Sequence, residues 1–225
     1  MQLFLDIETT PDLRSGALQR CIDAVEPPGT YKKPESIAEW KLANAEAIGK
    51  AEWSKTALDP ISGGIYIIGY AFEDQEPITL SRQPQEPEAP FLDAALQSIA
   101  AQHDKHGFSR PAQWIGWNIL GFDIPFIAKR CAILGISPAL QLPIGNRYNN
   151  ERVQDLMLTW AGFGKYAKQR SVAEAMGIEI TDDVDGKDLW ETVLRDGVEA
   201  AAKHCASDVN VLRQIYHRMQ PVFGL

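Results

Sequence analysis

The sequence predicts an α/β protein, a mixed β-sheet of about five strands with helices on both faces. Three observations predict it. A short apolar strand, Leu3-Phe4-Leu5, opens the chain and runs into Asp6-Ile7-Glu8. Two more apolar runs, Ile65–Phe72 and Gln113–Trp117, have strand length and are separated by a segment of helical spacing. Pro77–Ser81 follows the first of these runs across a polar turn, so the sheet contains a hairpin as well as parallel strands.

Residues 2–8 form the first strand. Pro27-Pro28-Gly29 is a breaker cluster. Pro34 to Leu58 is polar and alanine-rich, and Ile37, Trp40, Ala43 and Ala47 recur at helical spacing. This stretch reads as a helical insertion, at about 27–60, within a single domain covering residues 1–225. Gly63-Gly64 opens the second strand, and Glu73-Asp74-Gln75-Glu76 turns it into the third. A proline-rich stretch leads to a helix from Phe91 to His106. The strand Gln113–Trp117 runs straight into Asn118, and a helix follows over Pro125–Leu134, where proline suits the first turn. Leu140–Ile144 reads as extended. Short helices are expected over Asp155–Trp160, Ser171–Met176 and Asp188–Leu194. The last helix, Val198–Met219, carries Ala202, Cys205, Val209, Leu212, Tyr216 and Met219 along one stripe.

Composition bounds the function. The chain has 225 residues, 45% of them apolar, and no run approaches a membrane span. Its formal net charge of −8 argues against a generally basic nucleic-acid binder, but not against an enzyme that holds phosphates through metal ions. Cys21, Cys131 and Cys205 show no CxxC spacing and read as reduced thiols. With no signal-peptide pattern at the amino terminus, a cytoplasmic setting is expected.

Three places carry chemistry. A strand turns alternate side chains to opposite faces, so Leu3, Leu5 and Ile7 share one face and Phe4, Asp6 and Glu8 the other. Two carboxylates then sit together at a strand end, where a hard divalent cation such as Mg²⁺ or Mn²⁺ would offset their repulsion. The second place is Asn118 to Asp123, between a strand end and a helix start. Open α/β sheets collect functional groups there, although Asp123 alone is also an ordinary helix cap. The third is His204-Cys205-Ala206-Ser207-Asp208, where positions i and i+4 bring His204 and Asp208 to one helix face. Alone, that pair reads as a solvated His–Asp pair on a helix surface.

Together, Asp6, Glu8, Asp123 and Asp208 resemble the four-acid signature of the DEDD exonuclease superfamily. The resemblance is closest to stand-alone relatives of the proofreading exonuclease domain of family-B DNA polymerases. Asp6-Ile7-Glu8-Thr9 looks like their first motif, Asn118 through Phe122-Asp123 their second, and His204 to Asp208 their third. Asp155-Leu156-Met157 and Asp188-Leu189-Trp190 also sit where these relatives carry similar segments. The resemblance implies an RNase H-like fold and a metal-dependent 3′→5′ exonuclease acting on single-stranded DNA ends. It implies two divalent ions, Mg²⁺ or Mn²⁺. Asp6, Glu8 and Asp208 would hold the first, Asp6 would bridge to the second, and Asp123 would act nearby. An RNA exonuclease of the same fold, or a nucleic-acid-binding module with weak or lost catalysis, are the alternatives. Relatives of this kind often look phage or prophage encoded, with replication, recombination or repair as the implied setting and source of partner proteins.

His204 departs from the family pattern. The polymerase-like branch has Tyr-x-x-x-Asp and the other has His-x-x-x-x-Asp. Here the histidine of one branch stands at the spacing of the other. An imidazole in this place is expected to take a proton from the attacking water. Substrate contacts are expected from Thr9, Asn118 and Phe122. They are also expected from the loop Gly162–Arg170, where Lys165, Tyr166, Lys168 and Arg170 interleave charge and aromatic surface, as single-strand binders do.

Overall fold

The structure, a computed structural model, describes residues 1–105, 112–144, 152–181 and 189–225. His106 and Asp188, expected at a helix end and a helix start, lie outside the described residues.

Five strands form one mixed sheet: β1 (Gln2–Thr10), β2 (Gly64–Phe72), β3 (Ile78–Ser81), β4 (Gln113–Gly116) and β5 (Val153–Asp155). Their order is β3-β2-β1-β4-β5. β2 and β3 are the antiparallel hairpin that the sequence predicts, with Ile67 opposite Ser81. β4 runs parallel to β1, with Phe4 opposite Ile115, and β5 parallel to β4, with Gly116 opposite Asp155. The carboxyl ends of β1, β4 and β5 therefore point the same way.

The helices are α1 (Ala17–Asp23), α2 (Pro34–Lys55), α3 (Glu88–Lys105), α4 (Asp123–Leu134), α5 (Leu156–Ala161), α6 (Gln169–Ala175), α7 (Leu189–Asp196) and α8 (Val198–Phe223). The alternation along β1 decides what each covers. Leu3, Leu5 and Ile7 pack with Leu92 and Leu96 of α3 and Ile127 of α4. Phe4 turns the other way, to Val209, Leu212 and Tyr216 of α8. Its ring meets that of Tyr216 edge-on at 5.5 Å. A third cluster joins Tyr66 and Ile67 of β2 to Leu189 and Val193 of α7 and to Ala201 and Cys205 of α8. Gly69 lets α8 lie close on β2, because a Cβ there would meet the Cys205 Sγ at 2.5 Å.

Two expectations shift. Leu140–Ile144 forms no strand among the described residues, and the fifth strand is Val153–Asp155 instead. Three residues are too few to show a period of two, so pairing with β4 decides this strand rather than its own pattern. α1 was not expected: its seven residues follow Gly16 in the left-handed region and carry no side-chain cap.

Contacts divide the chain into two compact units, Met1–Glu8 with Ile65–Leu225, and Thr9–Gly64. In the second unit α1 packs on α2, where Gly49 leaves room for the backbone of Ile22. Trp53 donates its indole N–H to the Asp12 carbonyl at 2.7 Å, and Trp40 lies 6.1 Å from the ring of Tyr31. No described helix is long and apolar enough to cross a membrane.

Candidate metal centre

β1 delivers the first two acids. Phe4 faces α8, so Asp6 and Glu8, two and four residues on, leave the sheet on the same side. Both are partly buried. β4 delivers the third. The chain leaves Gly116 and turns through Asn118, whose φ of 60° is left-handed, a region asparagine tolerates better than most residues. The Asn118 carbonyl accepts from the N–H groups of Gly121 and Phe122, and α4 then starts at Asp123. Phe122 packs its ring 5.3 Å from that of Phe126. Asp123 is 3% exposed. The Phe122 N-cap makes no side-chain cap bond, and the Asp123 carboxylate accepts instead from the backbone N–H of Ile7, between the two acids of β1. That bond joins the second motif to the first.

α8 delivers the rest. His204 is 5% exposed, and its Nε2 lies 3.4 Å from Asp208 Oδ2 and 4.0 Å from Glu8 Oε1. Ligand atoms of Glu8, His204 and Asp208 all fall within 4.8 Å of one another, as do those of Asp6, Glu8 and Cys205. The Cys205 thiol donates to Asp6 Oδ2 at 3.5 Å. The structure thus brings Asp6, Glu8, His204 and Asp208 together and sets Asp123 near enough for its charge to act on Asp6, all within the larger unit.

Electrostatics follow from this crowding. Burial pushes the Asp6 carboxyl well above its ordinary range, and the charges of Asp123 and Asp208 push it further. Burial likewise raises Asp123 to about 7, against the two backbone N–H groups that favour its charge, with Asp155 adding repulsion. Cys205 is held as the thiol by burial and by the charges of Asp6, Glu8 and Asp208. Closely placed oxygen donors that resist ionisation fit a divalent cation, which relieves both the burial cost and the repulsion.

Two contributors escape a reading of motifs. Asp155, at the end of β5, is buried, and its carboxylate accepts from the N–H groups of Asn118, Leu120 and Leu158, each at 3.1 Å. It holds the turn that places Asp123. The motif Asp155-Leu156-Met157 is visible in the sequence, but not what its acid binds. Charge-assisted hydrogen bonds contribute about 1.5–3 kcal/mol each, so Asp155→Ala is expected to destabilise the protein by about 3 kcal/mol or more. Urea unfolding checks this, and a variant as stable as the wild type would show that the turn holds itself. The other contributor is Cys205, whose neighbour His204 is the only local sign of its place.

The expected substrate contacts are placed as follows. Thr9 is half-buried on β1. The loop before α6 exposes Phe163 (60%) and Tyr166 (72%), and Lys165 and Lys168 are exposed beside them, with Arg170 half-buried. The Trp117 indole N–H donates to the Ala167 carbonyl at 2.8 Å, and the Gln169 side chain donates to the Asp208 carbonyl at 2.9 Å. The loop is therefore tied to both the second and the third motif.

A profile of the RNase H superfamily matches residues 55–220 of the chain. No curated protein matches it by sequence. Among solved structures, the family B DNA polymerase from the hyperthermophilic archaeon Pyrobaculum calidifontis is similar, with a TM-score of 0.57 at 14% identity. That match covers 97% of this chain and 24% of the polymerase, so the chain spans about a quarter of the polymerase's length. At this identity the likeness concerns the fold.

Proposed function

This chain belongs to the RNase H superfamily, and from that membership we propose that it is a metal-dependent 3′→5′ exonuclease on single-stranded DNA ends. Membership and the likeness to a DNA polymerase support a nuclease-type function with a nucleic-acid substrate. One observation carries the finer reading: Glu8 and Asp208, from distant segments, meet at His204 beside Asp6, and Asp123 from a third segment is bonded to the Ile7 N–H between the first two acids. The order of the four acids resembles that of DEDD exonucleases.

Asp6, Glu8 and Asp208 would hold one divalent ion, and Asp6 with Asp123 a second. Bound ions would supply an activated water and stabilise the leaving 3′ oxygen. The chain's own residues do the rest. The Ile7 N–H and the Asp155-bound turn fix Asp123 against β1. The loop with Lys165, Tyr166, Lys168 and Arg170 offers cationic and aromatic surface next to the third motif, suited to phosphates and stacked bases.

End-labelled DNA and RNA oligomers, with circular DNA as control, test the proposal. The expected result is stepwise loss of nucleotides from the 3′ end of single-stranded DNA with Mn²⁺ or Mg²⁺, and no cutting of circles. Cleavage of circles, or release from the 5′ end, would overturn the polarity and exonuclease assignment. Faster loss from RNA would move the substrate to RNA.

A further inference from the structure

We propose that His204 is itself a metal ligand, through Nε2, together with Glu8 and Asp208, and that it biases the centre toward Mn²⁺ over Mg²⁺. This rests on the nuclease reading of the same site and departs from the water-orienting or proton-accepting role that the family pattern suggests.

Spacing is the first argument. With three residues between them, His204 and Asp208 stand one helical turn apart on the same face. The imidazole therefore lies beside the carboxylate, at 3.4 Å, with Glu8 at 4.0 Å. An ion about 2.1 Å from each ligand separates neighbouring ligands by roughly 3.0 Å and opposite ones by roughly 4.2 Å. Both distances fall in that interval. Burial is the second argument. The ring is 5% exposed and aimed at two acids, not at open solvent.

A second residue points to a ligand at the same place. Tyr66 of β2 is fully buried, and its hydroxyl has no hydrogen-bond partner among the described residues. Tyr66 belongs to the packing cluster of Cys205, whose thiol donates to Asp6 Oδ2 at 3.5 Å, so the unmet donor lies beside the acids. A buried hydroxyl without a partner costs free energy. Water carried in on a bound ion would supply the missing acceptor.

The donor set sets the preference. Carboxylates serve Mg²⁺ and Mn²⁺ alike, whereas imidazole nitrogen favours the transition metals. One nitrogen among oxygens therefore discriminates between the two ions.

Pulsed electron spin resonance of Mn²⁺ bound to the full chain tests this, because ¹⁴N directly bound to Mn²⁺ modulates the spin echo. The expected result is a ¹⁴N modulation that changes to the ¹⁵N pattern when histidine is ¹⁵N-labelled and disappears in His204→Gln. Calorimetry on the same variant should show Mn²⁺ affinity reduced about tenfold or more, with Mg²⁺ affinity changed much less. Wild-type protein that binds Mn²⁺ and degrades DNA, but shows no nitrogen coupling, would overturn the ligand role and leave the nuclease reading standing. Protein that binds no divalent ion at all would overturn both. The wild-type spectrum decides the matter even where the variant fails to fold.

Discussion

Asp6→Asn is expected to lower nuclease turnover by about a thousandfold or more, with the fold intact. Asp6 lies between the other acids: Asp123 and Asp208 both raise its proton affinity, and Cys205 donates to it. Metal ions supply several kcal/mol of transition-state stabilisation, and about 4 kcal/mol corresponds to a thousandfold in rate. Asparagine keeps the shape but removes the charge that would hold the ions. Single-turnover degradation of a labelled oligomer with Mn²⁺ measures the loss, and circular dichroism checks the fold. A variant retaining the wild-type rate would reject the bridging place assigned to Asp6.

Without metal, the protein is expected to lose stability as pH rises from about 4 to about 7. The Asp123 carboxyl has a folded-state pKa raised from 3.8 to about 7, chiefly by burial. The folded chain then holds a proton that the unfolded chain releases. Stability from this group is greatest below the ordinary carboxylate range and falls through the window between the two values. A shift of this size corresponds to on the order of 4 kcal/mol. Asp6 is raised in the same direction and adds to the slope. Asp12, lowered by its hydrogen bond from Arg14, has the opposite effect, but only below its ordinary value of 3.8 and so outside this window. A divalent ion would bind the ionised carboxylates, so saturating Mn²⁺ should flatten or invert the slope. Urea unfolding across this pH range, with EDTA and with Mn²⁺, measures both effects. Metal-free protein that gains stability between pH 4 and 7 would show that Asp123 ionises freely in the fold.

Much of this was legible in the chain. The hairpin β2–β3 and the long helix α8 carry strong local patterns, and the structure holds them close to their expected bounds. Strand β5 and helix α1 do not. β5 has three residues and exists because β4 offers an edge, and α1 begins after a left-handed glycine without a capping side chain. The ambiguity at Asp123 was real as well. A helix-initial aspartate can cap its own helix, and only the position of the Ile7 N–H shows where its carboxylate turns. Nothing local distinguishes Tyr66 from any other buried strand tyrosine, because its neighbours at the cluster come from β1 and α8.

The sequence by itself determined the local pairings. A period of two puts Asp6 and Glu8 on one face of a strand, and one helical turn puts His204 beside Asp208. These depend on covalent geometry and hold wherever the elements lie. The tertiary structure decided that the pairs meet. The missing Cβ of Gly69 lets α8 settle on β2, and Asp155 fastens the turn that carries Asp123 to β1. Such contacts join residues far apart in the chain, and packing and long-range hydrogen bonds select them, not the periodicity of either partner.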